Sequence, residues 1–266
     1  MTPKISVIMG IYNCASTLQE ALNSLYTQTF QDFEIVLCED GSLDDTYQVA
    51  EKNAQTHKNI VLLKNGTNMG LNYTLNRCLS VAKGKYIARM DGDDISLPTR
   101  FEKEYTFLET HPEYAIVSTP MKYFDENGIF RIGKISKPEP LLKDFVKGTP
   151  FCHAPCMVRK EAYMVVGGYS ESPYLLRVED YHLWMKMYIY GYRGYRLNEP
   201  LYMMRDDRNA LIRRTFANRR NEAYVKFLIC KNFSLPISSY IWCLRPILIG
   251  LLPQCVYNRL HRRKNG

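Results

Sequence analysis

Three carboxylates, those of Asp91, Asp93 and Asp94, lie within the four positions that follow the short apolar run 86–90. Such a run is typical of a buried strand, and an α/β sheet presents its chemistry outside the carboxyl ends of its strands. Crowded carboxylates repel one another unless a cation lies among them, and oxygen ligands suit a hard ion such as Mg²⁺ or Mn²⁺. Gly92 would let the chain turn tightly, so that Asp91 and Asp93 face one point. The alternative is a solvated acidic loop.

A second acidic turn, residues 39–45, follows the apolar run 33–38. From the first strand to the acidic loop at 91–94, strand-like runs alternate with helical patterns. This alternation predicts βαβ units and a mostly parallel sheet. No Gly-x-Gly-x-x-Gly follows the first strand, and no Gly-x-x-x-x-Gly-Lys-Ser/Thr occurs. The layout therefore favours a nucleotide-binding enzyme, but neither a dehydrogenase nor a P-loop protein.

Helix starts are marked by polar residues. Ser16-Thr17 with Glu20 suggests a capping box, and Pro98 suits a helix start that leaves Arg100 on an exposed side. Glu179-Asp180 opens an amphipathic pattern, where acids are favoured by the helix dipole even without a catalytic role. Further strands are predicted at 115–118, 121–124, 129–132 and 157–158, with a hairpin turn at 126–128, whereas 134–156 is weakly patterned.

Positive charge is concentrated at the C-terminus. The net charge is +8, but from Arg205 onward thirteen Lys/Arg stand against three acids, and the first 204 residues carry 22 basic and 24 acidic side chains. Such a basic segment indicates an anionic partner: a membrane surface, a nucleic acid or a phosphorylated acceptor. Eight irregularly spaced cysteines, and a strand pattern already at residues 4–8, favour free thiols in the cytoplasm.

The apolar segment 235–257 is broken by three prolines, and its longest clean run is 247–252. This run is far shorter than the ~20 residues that a membrane span needs. Because basic residues follow at 259–264, an interfacial anchor on an anionic membrane is one interpretation. A helical pair packed on the domain is the other, and the sequence leaves both open.

Six motifs in order resemble those of inverting glycosyltransferases of family 2, which have the glycosyltransferase A fold. The resemblance spans roughly residues 4–205 and includes members that assemble bacterial polysaccharides. It implies a Rossmann-like, mostly parallel mixed sheet flanked by helices over 1–205 and a helical, basic extension over 206–266. Gly10 stands where many members have Pro, and Glu39 where many have Asp. The motifs are residues 5–13, 39–45, Asn68-x-Gly70, Asp91-x-Asp93-Asp94, Pro98-x-Arg100 and Glu179-Asp180.

The resemblance also implies residue roles. Asp40 matches the acid that hydrogen-bonds the uracil ring, Asp93 the ligand of Mn²⁺ or Mg²⁺, and Asp180 the catalytic base. Supporting or acceptor-side positions are His153, Glu179 and Trp184. The other positions implied at the nucleotide sugar are Ile11, Tyr12, Asn13, Asn68, Asp91, Gly92 and Arg205, of which Asp91 lies near the ribose and Arg205 near the phosphates. Structural roles compete at several of these positions: Asp40 could cap a turn, and His153 and Trp184 could belong to the core.

The implied activity is metal-assisted transfer of a sugar from a UDP-sugar to a hydroxyl of a glycan or lipid-linked saccharide, at the cytoplasmic face of the membrane and without a nucleic-acid partner. A sugar nucleotidyltransferase is a weaker alternative, because the first loop, 10–16, contains no Lys or Arg to hold a triphosphate. A basic scaffold or nucleic-acid-binding protein is a third reading, but it leaves the acidic turns unexplained.

Overall fold

The first apolar runs form four neighbouring parallel strands. The computed structural model describes residues 2–135, 137–206 and 215–251. Every residue of the second and fourth strands is buried, which is why these strands read as unbroken apolar runs rather than as alternating patterns. The strands within the described residues are β1 (Ile5–Ile11), β2 (Phe33–Glu39), β3 (Ile60–Lys64), β4 (Tyr86–Arg89), β5 (Ile95–Ser96), β6 (Ile116–Ser118), β7 (Met121–Asp125), β8 (Gly128–Ile132), β9 (Met157–Arg159), β10 (Gly194–Arg196) and β11 (Tyr202–Arg205).

The main sheet has seven strands in the order β10-β6-β9-β4-β1-β2-β3. Strands β4, β1, β2 and β3 run parallel, whereas β9 pairs antiparallel with both β4 and β6. The mostly parallel mixed sheet is thus confirmed. Because β9 lies beside β4, the segment that precedes it reaches the carboxyl end of β4, next to the acidic loop.

Helices cover both faces of this sheet. One core layer contains apolar residues of α1, α2 and α4, and the other contains those of α3, α6 and α7. The helices within the described residues are α1 (Ala15–Tyr26), α2 (Thr46–Thr56), α3 (Leu71–Val81), α4 (Arg100–Thr110), α5 (Leu142–Phe145), α6 (Lys160–Val166), α7 (Glu179–Ile189), α8 (Phe216–Asn232) and α9 (Ile241–Gly250), with 3-10 turns at Pro173–Leu175 and Ile237–Tyr240. The short helix α5 lies within the weakly patterned segment.

A second sheet, in the order β5-β11-β7-β8, carries the predicted hairpin. Strands β7 and β8 pair antiparallel around a turn in which Gly128 has a φ of +108°, a conformation that favours glycine. Strand β11 joins β7 to β5, and therefore ends beside the acidic loop that leads into β5.

The basic C-terminal segment packs in part on the helices that cover the main sheet. Helix α8 buries Val225, Ile229 and Cys230 in the core layer that includes α7. Helix α9 lies against α8 but leaves Leu244 and Leu248 more than half exposed. None of the helices in the described ranges has the length and hydropathy needed to cross a bilayer. The basic residues 259–264 lie outside the described residues.

Two local predictions were wrong. Helix α1 begins at Ala15 without a side-chain cap, and the carboxylate of Glu20 instead forms an ion pair with Arg205. Arg100 is fully buried rather than exposed; its Nε donates to Glu104 at 3.1 Å and its Nη2 donates to the carbonyl of Arg89 at 3.0 Å. Both residues are therefore used to hold the acidic loop and its strand, which a local helix pattern does not reveal.

Candidate active site

The acidic loop after β4 is held in place by β11. The backbone N–H of Asp91 donates to the hydroxyl of Tyr202 at 3.2 Å, and the buried carboxylate of Asp94 accepts the N–H of Arg205 at 2.8 Å. Between them, Asp93 is exposed. The three acids therefore differ in role, because Asp94 anchors the loop whereas Asp93 faces outward.

Gly92 is required by packing rather than by its backbone angles. A Cβ at this position would lie 2.8 Å from the Sγ of Cys14 and 3.3 Å from Cγ2 of Ile11. The carbonyl of Gly92 also accepts the hydroxyl of Thr17 at 3.0 Å. The predicted turn is present at Gly92 and Asp93, but it needs no positive φ, and the close contact with Cys14 and Ile11 is what requires glycine.

Crowding of the acids in this loop raises the pKa values of Asp93 and Asp94. Desolvation, followed by the negative charge of Asp91, raises the pKa of Asp93. Burial, together with the charges of Asp91 and Asp93, raises the pKa of Asp94 well above its ordinary value. A cation beside the loop would relieve this repulsion.

The donor set suits a metal that shares its shell with phosphate and water. The part of the chain that the structure describes contains no cluster of three or more His, Cys, Asp or Glu side chains arranged to enclose a metal ion. Among the same residues, no ion pair engages the carboxylate of Asp93, whereas Asp91 is held by Arg89 at 2.5 Å. Mg²⁺ and similar ions often use one or two protein carboxylates and complete their shell with substrate phosphates and waters, so these residues fit such an ion.

Asp40, which follows β2, organises the loop before α3. Its buried carboxylate accepts from the side-chain amide of Asn65 at 2.6 Å and from the backbone N–H groups of Met69 at 2.8 Å and Gly70 at 2.9 Å. Gly70 has a φ of +89°, which favours glycine. Asp40 thus shapes the edge of the cleft where the nucleotide base is predicted to bind, and Asn68 lies exposed in the same loop.

The residues predicted around the base are distributed over core and surface. Ile11 is buried, whereas Tyr12 is 43% exposed. Asn13 joins the two loops, since its N–H donates to the hydroxyl of Ser42 at 3.0 Å and its Oδ1 accepts the N–H of Leu43 at 2.8 Å. Of these residues, Tyr12 has the exposed aromatic surface that a base could contact.

Two polar residues of this region were missed from the sequence. Besides its bond to Asp40, the side-chain amide of Asn65 donates to Thr74 Oγ1 at 3.1 Å. Arg77 donates to Asn65 Oδ1 and, at 2.8 Å, to the carbonyl of Lys64. Sequence spacing gives no signal for this network, because its members come from a strand end and from the middle of a helix.

Asp180 lies in the first turn of α7. Burial, followed by the negative charge of Glu179, raises the pKa of Asp180 to about 7. Desolvation and then the charge of Asp180 raise the pKa of the Cys152 thiol to about 11, so α7 and the segment before β9 face each other here. A carboxylate poised near neutral pH is suited to accept a proton.

The neighbouring His153 is held by aromatic residues. Its Nε2 lies 2.7 Å from the hydroxyl of Tyr169, which in turn lies 3.1 Å from that of Tyr163. The ring of Trp184, 6.0 Å away edge-on, is completely buried. Burial and then the charge of Arg89 lower the pKa of His153 well below its usual value. His153 is therefore neutral at pH 7, and Trp184 supports it from the core.

Arg205 lies against the acidic loop. Its Nε donates to the carbonyl of Asp93 at 3.0 Å, its Nη2 pairs with Glu20, and its guanidinium is 4.5 Å from the ring centre of Phe124. The predicted position of a basic residue near the phosphates is thus next to the predicted metal ligand. Its side chain is already committed to the loop through these contacts.

Arg89 was missed altogether, although a charged residue inside an apolar strand was the available signal. Its side chain is 2% exposed, and its Nη2 lies 2.5 Å from Asp91 Oδ1. Its positive charge lowers the pKa values of Asp93, Glu179 and Asp180, against the larger effect of burial. Arg89 therefore acts on both halves of the site.

Comparison with known proteins shows the family of the chain. Residues 6–167 match the sequence model described as Glycosyl transferase family 2. The chain is 43% identical, over 98% of its length and 94% of the relative's, to EpsE of Bacillus subtilis (strain 168), which is named as a glycosyltransferase. It is 29% identical, over 73% of its length and 74% of the relative's, to the UDP-Glc:alpha-D-GlcNAc-diphosphoundecaprenol beta-1,3-glucosyltransferase WfaP of Escherichia coli. Among solved structures, S. aureus TarS 1–349 in complex with UDP-GlcNAc is similar, with a TM-score of 0.71 and 21% identity over 93% of this chain and 71% of that one.

Proposed function

This chain belongs to glycosyltransferase family 2 and has the glycosyltransferase A fold, and from that premise we propose that it is an inverting transferase that uses a UDP-sugar. The acceptor is a hydroxyl of a glycan or of a lipid-linked saccharide. The observations that carry the proposal are the ion pair that ties Arg89 to Asp91 of the acidic loop and the effect of the same guanidinium on Asp180, a carboxyl in the first turn of α7 whose pKa burial raises to about 7.

The donor is proposed to bind at the loops after β1, β2 and β4. Tyr12 offers exposed ring surface to the base, and Asp40 holds the adjoining loop through three hydrogen bonds. A UDP-sugar is favoured over other nucleotide sugars because WfaP is named for UDP-Glc and TarS is described in complex with UDP-GlcNAc. Which sugar is attached is left to experiment.

Asp93 would hold Mn²⁺ or Mg²⁺ beside the diphosphate, with Asp91, which pairs with Arg89, next to it near the ribose. The ion, when bound, supplies Lewis-acid stabilisation of the negative charge on the leaving UDP. The protein positions these acids through Tyr202, which accepts the N–H of Asp91 at 3.2 Å, and Arg205, whose Nε donates to the carbonyl of Asp93 at 3.0 Å.

Asp180 is proposed to accept the proton of the attacking hydroxyl. The acceptor oxygen forms a bond to the anomeric carbon on the face opposite UDP, and the bond from that carbon to the phosphate oxygen breaks with its electron pair. The acceptor proton moves to the carboxylate of Asp180. Displacement from the opposite face inverts the anomeric configuration. The pKa of about 7 suits this base, because it is ionised in a large fraction of molecules at neutral pH and still binds the proton well.

The protein is further proposed to contact the cytoplasmic face of an anionic membrane through α9. Ile241, Leu244 and Leu248 are 57–68% exposed and lie on one side of that helix, with Arg245 beside them. The four basic residues at 259–264 supply the charge that an anionic bilayer attracts. The name of WfaP describes a diphosphoundecaprenol acceptor, which is the kind of substrate that such contact would serve.

The membrane proposal is tested by flotation with phosphatidylglycerol-containing vesicles. Leu244→Glu/Leu248→Glu should abolish flotation, whereas Met164→Glu, which alters an equally exposed apolar residue on α6, should not. Flotation that is equal in all three proteins would contradict a role for α9.

The proposed activity is tested by UDP release from a panel of UDP-sugars, with GDP-sugars and dTDP-sugars as controls. Slow hydrolysis of a UDP-sugar that requires Mn²⁺ or Mg²⁺ and stops with chelator is expected. Formation of a UDP-sugar from UTP and a sugar 1-phosphate would instead support the nucleotidyltransferase reading. If no UDP is released from any sugar nucleotide of the panel and calorimetry detects no UDP binding, the proposal is overturned.

A further inference from the structure

We propose that Arg89 is a positioning residue that links the donor-side acidic loop to the catalytic base. It would do so by holding Asp91 through a direct ion pair while its buried charge acts on Asp180 at the start of α7. This inference rests on the proposed function, because it takes Asp180 as the base.

The backbone of Arg89 is fixed on both sides. Its N–H donates to the carbonyl of Cys156 at 3.0 Å, in the segment that leads into β9. Its carbonyl accepts from Nη2 of the buried Arg100 at 3.0 Å. Arg89 is also the last residue of β4, in register with Ile8 of β1. The guanidinium therefore starts from a rigid position at the centre of the main sheet.

The side chain of Arg89 makes fewer hydrogen bonds than a buried guanidinium normally does. Nη2 pairs with Asp91 Oδ1 at 2.5 Å, but Nε and Nη1 are buried without a partner among the described residues. Buried donors are nearly always paired, and exceptions concentrate where function requires them. An arginine kept in this state is better explained by its charge and its hold on Asp91 than by packing alone.

The charge of Arg89 reaches groups from three separate elements. It opposes the protonation of Glu179 and Asp180 on α7, and it opposes the charging of His153 in the segment before β9. On the loop that follows β4 it pairs directly with Asp91. The same guanidinium thus stabilises negative charge on the donor side and at the base.

Groups on several elements act on Asp180. On its own helix, Glu179 raises its pKa and the backbone N–H of Tyr181 donates to its Oδ1 at 2.7 Å. From the segment before β9, the Cys152 thiol faces it. From β4, Arg89 is the cation that lowers its pKa. Loss of Arg89 should therefore leave Glu179 unopposed and make Asp180 harder to ionise.

Two substitutions separate the effect of the Arg89 charge on Asp180 from its ion pair with Asp91. Arg89→Met removes the charge and the ion pair, whereas Arg89→Lys keeps the charge but has a side chain one atom shorter, which cannot reach Asp91 Oδ1 as Nη2 does. Arg159→Met is the matched control, since Arg159 is a partly buried arginine of β9 that donates to the carbonyls of Tyr114 and Leu108.

The measurements are the pH profile of kcat/KM for UDP-sugar turnover, UDP affinity by calorimetry, and the thermal midpoint. The acid limb of the profile is the part at low pH in which kcat/KM rises as the base ionises. For Arg89→Met, this acid limb should move to higher pH by about one unit. For Arg89→Lys, the limb should stay near that of the wild type while UDP affinity falls several-fold. Arg159→Met should lower the midpoint without moving the limb.

The outcomes distinguish this inference from the proposed function. If the wild type turns over no UDP-sugar, the proposed function fails. If the wild type is active and Arg89→Met loses rate with an unmoved acid limb, Arg89 is a structural residue and the inference fails alone. If Arg89→Met does not fold, Arg89→Lys decides, because unchanged UDP affinity in that variant would refute the link through Asp91.

Discussion

The pH dependence of transfer provides a direct test of Asp180. Burial and the neighbouring Glu179 raise its pKa from 3.8 to about 7. A base with a pKa of about 7 is ionised in roughly a tenth of molecules at pH 6 and in roughly nine tenths at pH 8, so kcat/KM should rise about tenfold between them. The profile is measured as UDP release at subsaturating UDP-sugar and acceptor with saturating Mn²⁺. Calorimetric UDP affinity at each pH separates loss of donor binding from protonation of the base.

Two substitutions sharpen this test. Glu179→Gln removes the charge that raises the pKa of Asp180, so the acid limb should move to lower pH. Asp180→Asn should cut transfer by roughly 10² to 10⁴ while leaving UDP affinity intact. Full activity at pH 5, or a limb that Glu179→Gln leaves in place, would refute the assignment of Asp180 as the titrating base.

The same raised pKa has a consequence for stability. The folded state binds the proton of Asp180 more tightly than the unfolded state does, so wild-type stability falls as the pH rises from the unfolded value near 4 to the folded value of about 7. Below pH 4 the carboxyl is protonated in both states and contributes no difference. Above pH 7 we expect Asp180→Asn to be more stable than the wild type by on the order of 2 kcal/mol, after allowance for the partial exposure of the group. Urea unfolding at pH 5 and pH 8 measures this difference, which should be larger at pH 8.

Three further substitutions test the donor side. Asp93→Asn should weaken Mn²⁺-dependent UDP binding roughly tenfold or more, about 1.4 kcal/mol, and unchanged calorimetry would exclude Asp93 as a ligand. Asp40→Asn should lower the free energy of unfolding by about 1–3 kcal/mol, since an amide cannot replace both carboxylate oxygens that accept from Asn65, Met69 and Gly70; urea titration measures this loss. Gly92→Ala should lower the free energy of unfolding by about 1–3 kcal/mol, because its methyl would lie 2.8 Å from the Cys14 sulphur. Adding Cys14→Ala should restore part of the lost melting temperature, and no restoration would contradict the contact.

The parallel part of the sheet and its acidic loops were predictable because residues that are neighbours in the chain specify each of them. Strand β4 is buried on both faces, so it reads as an apolar run, and the acids follow it directly in the chain. The hairpin of β7 and β8 is likewise signalled by its own turn. The position of β9 was not predictable, because its antiparallel pairing with β4 joins segments about 70 residues apart, with no local pattern to indicate the partner.

The buried arginines show a second limit of sequence reasoning. Arg100 was predicted on an exposed helix side because arginine is usually exposed, but the carboxylate of Glu104 at 3.1 Å and nearby carbonyls compensate its burial. The partners of Arg89 and Arg100 come from separate strands and loops. Sequence spacing therefore predicts which acids reach the site but not which cations hold them there.

The contacts of Arg89 and Arg205 with the acidic loop affect how the loop should bind the proposed metal ion. Arg89 already neutralises Asp91 at 2.5 Å, and Asp94 already accepts the N–H of Arg205 at 2.8 Å, so Asp93 is the acid left exposed for a ligand. A single carboxylate binds a divalent ion weakly, whereas the ion together with a diphosphate gains several oxygen ligands. The metal and the nucleotide should therefore bind cooperatively, each raising the affinity of the other by the same factor. The loop should thus hold a cation only weakly before the donor arrives, because Arg89 already balances the charge of Asp91 and the backbone N–H of Arg205 already occupies Asp94.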